Sequence, residues 1–403
     1  MLKLRQYWLF PEKPSLSRDR PYKFTYGGTD QMNNHQNRRE KIYDLMSRQG
    51  TDLLFISDFE DYRNPLIRWL SGQPGDALLF LSAARSSLLV PWDINMAMLH
   101  AEADSIIPYK EFDRQQIKAL KGAIERFKTP KGAKIEIPGT TPYPRFSNFV
   151  KEIPDFEIIC REGGIWTELE KLRAVKDEDE LKIYRKISAI TNSIINQLED
   201  QIRSGKLKTE AEVAIFIDFE GRGQTCEGTG FETLAAGPTR SFGIHAFPTY
   251  TGGAFGGTGL SILDFGLKYA GYTSDVTMTF AREPLSAVQE EMLSLTEKAY
   301  KLALEMVKPG IPARDIALAV DDFFAKSNKT MPHGLGHGIG LQAHEAPSLN
   351  SREDNQWILE KDMIITIEPG LYDPVHGGCR LENDILVTET GAEVLTNSRI
   401  VRL

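Results

Sequence analysis

Cysteine is scarce. Three residues, Cys160, Cys226 and Cys379, are scattered through 403 positions with no Cys-x-x-Cys spacing. Such a set builds neither a disulfide framework nor a zinc–thiolate site, and it points to a reducing, cytoplasmic setting. Long apolar runs are also missing. The most apolar stretch, Ala77 to Trp92, contains Arg85 and three serines, and falls short of the roughly 20 residues a membrane-spanning helix needs. Met1 to Pro11 has neither the apolar core nor the small-residue cleavage site of a secretory leader. Positive charge is in deficit, with 48 Lys and Arg against 56 Asp and Glu and a net charge of −8, so no basic field exists for a nucleic-acid backbone. What remains is ordinary folded-protein material, 41% hydrophobic and 26% charged, long enough for two to three domains at about 100–200 residues each.

Residues 1–35, with Pro11, Pro14, Pro21 and the Gly27-Gly28 pair, read as an irregular arm. From 36 to about 160, short apolar runs (Asp52–Ser57, Ala77–Leu81, Ser87–Val90, Lys134–Ile137) alternate with helical patterns at Asn37–Gln49, Asp93–Ala103 and Arg114–Lys128. That alternation predicts an α/β domain over residues 1–165. A charged run, Glu168 to Lys186, then opens a second unit, residues 166–403, and reads as a solvated helix face. Ile183, Ile187, Ile190, Ile194 and Leu198 carry the three-and-four spacing of a long amphipathic helix. Capping-box patterns at Thr209/Glu212 and Ser286/Gln289 start two more helices. Strands broken by separate long helices predict an α+β unit, helices on one face of a mostly antiparallel sheet.

Five of the seven histidines (His245, His333, His337, His344, His376) fall within the second unit, where four acids interrupt apolar strands. Asp264 in Leu-Asp-Phe-Gly and Asp275 in Ser-Asp-Val-Thr flank the short loop Leu267–Tyr272, so one hairpin sets them roughly opposite on one face. Glu368 and Glu382 flank Asp373–Gly378 in nearly the same way. Paired buried carboxylates repel and persist only with shared protons or bound cations, and four acids favour cations. His337 completes the set. It lies in His333-Gly334-Leu335-Gly336-His337-Gly338-Ile339-Gly340, whose glycines argue against a zinc-binding helix and for close backbone approach to a ligand. One imidazole and four carboxylates form a mostly oxygen shell for two divalent ions, suiting Mn²⁺, Co²⁺ or Fe²⁺, with Zn²⁺ as a further choice. Such pairs polarise carbonyls and activate water.

The ordered set Asp264, Asp275, His337, Glu368 and Glu382, in the contexts LDFG, SDVT, HGLGHGIG, IEPGLY and RLEN, resembles the pita-bread metallopeptidases, peptidase family M24. These include Xaa-Pro dipeptidases (prolidases), aminopeptidase P and methionine aminopeptidase. The resemblance covers roughly residues 165–403; the first 165 residues are more weakly similar to the amino-terminal domain of the proline-specific and creatinase branches. It implies that Asp264 binds one ion, that Asp275 and Glu382 bridge both, and that His337 and Glu368 complete the second, with Glu368 also the general base. His245 and His344 match the family's substrate-contacting histidines, and Arg380 an arginine beside the leaving residue or behind the ligands. The implied activity is cleavage of the bond before proline in dipeptides or short peptides by a homodimer, with aminopeptidase P as the alternative; a non-catalytic peptide-binding relative and a creatinase-like amidinohydrolase follow behind.

Three departures stand out. Met278 replaces an arginine after Ser-Asp-Val-Thr, and Asn383 replaces the aspartate after Arg-Leu-Glu. Ser348 occupies the position after His344-Glu345-Ala346-Pro347 where some dipeptidases carry an arginine, while Arg352 follows four residues later. Taken singly, His333 and His376 read as non-ligands, Asp384 as a solvent-facing strand residue, and Cys226 and Cys379 as packing residues.

Overall fold

The computed structural model describes residues 34–60 and 62–403. The expected arm lies outside the described residues except for Asn34 and His35, which open the helix Asn34–Gln49. The four apolar runs form the strands Leu53–Asp58, Ala77–Ser82, Ser86–Pro91 and Lys134–Pro138. Ser105–Ile106 and Glu157–Arg161 extend them to a six-stranded mixed sheet. The runs are continuously apolar because both faces are covered. Leu54, Ile56 and Leu79 pack with Ile42 and Leu45 on one side, whereas Leu53, Phe55 and Phe80 pack with Leu120 and Phe149 on the other.

The charged run after residue 165 differs from the expected solvated face. The helix Ile165–Ala174 stops, and Asp177 caps a second helix, Glu178–Arg203, through a capping box with Glu180. Lys176 and Glu180 are buried. Glu180 accepts from Trp69 Nε1 (3.1 Å) and Tyr272 Oη (2.8 Å), and Arg38 lies 3.5 Å from it while pairing with Asp177 at 2.6 Å. The i, i+3, i+4 pattern that reveals an apolar stripe gives no signal for acids buried by partners more than 90 positions away. The boxes at Thr209/Glu212 and Ser286/Gln289 do start the helices Glu210–Gly223 and Ala287–Met306, each cap contributing about 1 kcal/mol.

Two antiparallel sheets dominate the remainder. One runs Ile400–Arg402, Val276–Arg282, Gly259–Phe265, Leu234–Ala236, its only parallel pair being the first; the other runs Glu345–Leu349, Gly336–Gly338, Ile364–Ile367, Asn383–Val387, Ala392–Val394. They meet where Thr277 bridges Glu382. The α+β pita-bread architecture is therefore as expected. The glycines at 336 and 338 serve this packing, since a β-carbon there would strike the carbonyls of Thr366 and Ala346 on the flanking strands.

Candidate metal centre

Strand register brings the acids together. Asp264 pairs across its hairpin with Thr277, not with Asp275, so the expected opposition is shifted by two residues and Asp275 is a same-face diagonal neighbour. In the second sheet Ile367 pairs with Asn383, and the adjoining hairpin Gly370–Asp373/Gly377–Arg380 pairs Gly370 with Arg380. Continuing that register sets Glu368 across from Glu382. Thr277 touches both halves, opposite Asp264 on one side and bridged to Glu382 on the other.

Ligating atoms of Asp275, His337 and Glu382 lie within 4.8 Å of one another. His337 Nε2 is 3.8 Å from Asp275 Oδ2 and 3.7 Å from Glu368 Oε1. Asp264 is held differently, with Arg380 Nη2 donating to its Oδ2 at 2.5 Å while its buried Oδ1 has no hydrogen-bond partner. His344 stacks obliquely on His337, ring centroids 4.3 Å apart. Both line a cleft of about 400 Å³ with Glu170, Arg173, Glu345, Ser348 and Trp357. His245 is exposed on the irregular segment after Ala236, and Arg380 donates to the neighbouring Ile244 carbonyl at 3.2 Å.

The electrostatics are those of a cation site. Burial, followed by the repulsion of Glu382 and the other acids, pushes Asp275 well above the carboxylate range. Burial and Glu382 do the same to Glu368, and burial with Asp264 lifts Glu382 to about 7. Burial, then His344, lowers His337 to about 4, so the imidazole is neutral and able to donate a lone pair. Burial opposes the Arg380 charge, but Tyr372, Asp264, Glu368 and Glu382 overcome it and hold the guanidinium protonated. The orphaned Asp264 oxygen, the mutually repelling acids and the neutral imidazole fit two divalent cations.

Several partners were not legible beforehand. Asp384, read as solvent-facing, is fully buried and accepts the Asp275 N–H at 3.3 Å. Asn383 instead binds Thr396 and Ser398, so an acid still backs the ligands, one position later than the family pattern. Met278 is buried in the core. Tyr372 Oη accepts from Arg380 Nη1 at 2.7 Å and lies 3.0 Å from His333 Nε2; its only sequence signal was its nearness to Glu368. His376 sits in the hairpin turn beside Ser286, and Arg352 pairs with Asp354 on the surface.

Fold and donor set together define a divalent-metal hydrolase. Residues 182–389 match the model of metallopeptidase family M24; the chain belongs to that family and is a peptidase. It is 28% identical over 364 residues to the Xaa-Pro dipeptidase of Pyrococcus horikoshii, covering 89% of this chain and 96% of that protein. Among solved structures it resembles the Xaa-Pro dipeptidase from Bacillus anthracis (TM-score 0.79, 25% identity, 92% and 100% covered). In fold it also resembles the X-Pro aminopeptidase from Thermotoga maritima (TM-score 0.78, 24% identity, 91% and 99% covered). No helix among the described residues is long and apolar enough to cross a membrane.

Proposed function

We propose that this peptidase is a dinuclear Xaa-Pro dipeptidase, in which Asp264, Asp275, His337, Glu368 and Glu382 hold two divalent cations, Mn²⁺ or Co²⁺ by preference. Residues 166–403 form the catalytic unit and residues 1–165 an accessory α/β unit, in a cytoplasmic homodimer. The observation that carries the reading is the approach of the Asp275, His337 and Glu382 ligating atoms to within 4.8 Å, in a chain similar over nearly its whole length to Xaa-Pro dipeptidases.

Proline defeats peptidases that grip the amide hydrogen, because its imide nitrogen has none and its ring restricts the preceding residue to extended geometry. When bound, the cations supply Lewis acidity toward the scissile carbonyl and lower the pKa of water. Glu368 accepts a proton at a carboxylate oxygen and returns it to the leaving nitrogen, a role supported by its place 3.7 Å from His337 Nε2. His344 and His245 donate toward the oxygen that gains charge. Arg380 holds Asp264 and Tyr372 in register with the ligands.

Aminopeptidase P is the second reading, favoured by Ser348 in the cleft where a carboxylate-binding arginine is expected, and by Arg352 being tied to Asp354. The test is metal analysis of the purified protein coupled to assays on Xaa-Pro, Xaa-Pro-Yaa and Met-Ala peptides. Cleavage of Ala-Pro with two Mn²⁺ or Co²⁺ per chain is expected. Cleavage of Ala-Pro-Ala without Ala-Pro moves the assignment to aminopeptidase P, and no cleavage by metal-loaded protein removes it.

A further inference from the structure

Between Ala236 and Gly259 the chain carries His245 but forms no regular strand or helix. Backbone turns from Gly237 to Gly243 and backbone bonds to Ala235, Glu210 and Ala211 hold part of it, and one carboxylate gathers four more donors from it. Glu210, the first residue of the helix Glu210–Gly223, is only 1% exposed. Its Oε1 accepts the Gly237 N–H at 2.7 Å, and its Oε2 accepts the Thr251 N–H at 2.7 Å, the Thr251 hydroxyl at 2.6 Å and the Arg240 guanidinium. Arg240 also donates to the Pro248 carbonyl. Glu210 therefore ties the two ends of the segment to each other and, through Arg240, to its far limb. From the opposite side Arg380 grips Ile244, and the Gly378 N–H donates to Ser241 Oγ at 3.1 Å. His245 is suspended between these two anchors, one on the metal-site arginine and one on Glu210.

A carboxylate taking four donors in a buried pocket is worth several strong hydrogen bonds, and all four come from the segment whose middle bears the histidine. We propose that Glu210 is a positioning residue that, with Arg240, sets the place of His245 in the reaction. This rests on the reading of His245 as a donor to substrate, given above.

The test is a double-mutant cycle on Xaa-Pro hydrolysis using Glu210→Gln, Arg240→Met and His245→Ala in the metal-loaded enzyme, with metal stoichiometry and thermal midpoint recorded for every variant. Glu210→Gln keeps the side-chain volume but removes the charge paired with Arg240. It is expected to lower kcat by about 10–100-fold, with KM changed less than about threefold and two ions still bound. In the His245→Ala background the same substitution should cost less than about twofold, because the group it positions is gone. Arg240→Met should show the same pattern, and Arg240→Lys should restore part of the lost kcat; these variants carry the test if Glu210→Gln fails to fold. Equal losses from Glu210→Gln or Arg240→Met in both backgrounds overturn the proposal while leaving the His245 assignment intact. A His245→Ala enzyme with wild-type kcat overturns both.

Discussion

Thr277 joins the two sheets to Glu382. The Glu382 N–H donates to the Thr277 carbonyl at 3.1 Å, and the Thr277 hydroxyl donates to Glu382 Oε2 at 2.6 Å while accepting from Arg380 Nε at 3.0 Å. One buried hydroxyl thus orients Glu382 and the arginine that holds Asp264. Thr277→Val keeps the shape and removes this hub. Isothermal titration calorimetry with Mn²⁺ should show binding weakened by about 10–100-fold, the usual effect of removing a group behind a metal ligand; a change under twofold would refute that role.

His337 and His376 belong to the same histidine-rich stretch and should respond in opposite ways. His337→Ala removes a neutral imidazole within 4 Å of Asp275 and Glu368, so bound metal should fall below two ions per chain and hydrolysis by at least about 10³-fold. His376→Ala touches only a turn and a contact to Ser286, and its kcat/KM should stay within about twofold of wild type. Elemental analysis alongside steady-state kinetics decides both.

The raised acid pKa values fix two pH dependences. Glu382 titrates near 7 in the fold against 4.5 unperturbed, so between those values the folded protein holds a proton that the unfolded chain has released. Its contribution to metal-free stability therefore declines as pH rises from about 4.5 to 7. Glu382→Gln should flatten that part of the profile, raising the metal-free thermal midpoint relative to wild type at pH 7.5 more than at pH 5. Because cations displace the same protons, Mn²⁺ affinity should weaken as pH falls below 7, with proton release visible as a buffer-dependent binding enthalpy. His337, neutral down to about 4, does not limit binding in that range.

Four of the five ligand candidates were legible because acids interrupt otherwise apolar strands, and the fifth, His337, because it lies in a glycine-rich run. The hairpins were legible from turn residues, although register was not: sequence leaves Asp275 or Thr277 equally able to face Asp264, and only the paired strands choose Thr277. Asp384 was misread for a related reason. Alternation after Glu382 assigns it a face, but both faces of that strand are covered, so neither meets solvent. Glu180 was read as part of a solvated helix face and Glu210 carried no signal, because the partners of both lie in distant segments that no spacing rule connects.

The cluster around Glu180 yields a stability prediction. Arg38 pairs with Asp177, approaches Glu180 and stacks its guanidinium 5.1 Å from the Trp69 ring centroid. Arg38→Met would leave a carboxylate that is almost wholly buried without its cation, a change that costs about 3–5 kcal/mol. Because Glu180 also holds Tyr272, two residues before Ser274 and three before Asp275, the loss should extend to the metal strand. Urea denaturation of metal-free protein should show the lower midpoint, and Arg38→Met with Glu180→Gln together should recover part of it; a midpoint unchanged by Arg38→Met would show that the pair contributes nothing.

Substrate length should be set in the cleft beside His337 and His344. Among the described residues lining it, Arg173 is the one arginine or lysine, and Arg173 is ion-paired to Glu345, which Lys176 also approaches at 3.9 Å. Arg352 lies on the surface with Asp354 at 3.0 Å. A free carboxylate one residue after the scissile bond therefore meets a cleft whose cation is already neutralised. Arg352→Ala should alter kcat/KM for Ala-Pro by less than about twofold, since an exposed pair contributes at most about 1 kcal/mol and lies off the cleft. Ser348→Arg adds a guanidinium to the cleft wall and should lower KM for Ala-Pro by about tenfold while leaving Ala-Pro-Ala-amide unchanged. If Arg352→Ala instead raises the Ala-Pro KM strongly, that arginine swings inward to hold the carboxylate, and the cleft as described is not the surface that reads substrate length.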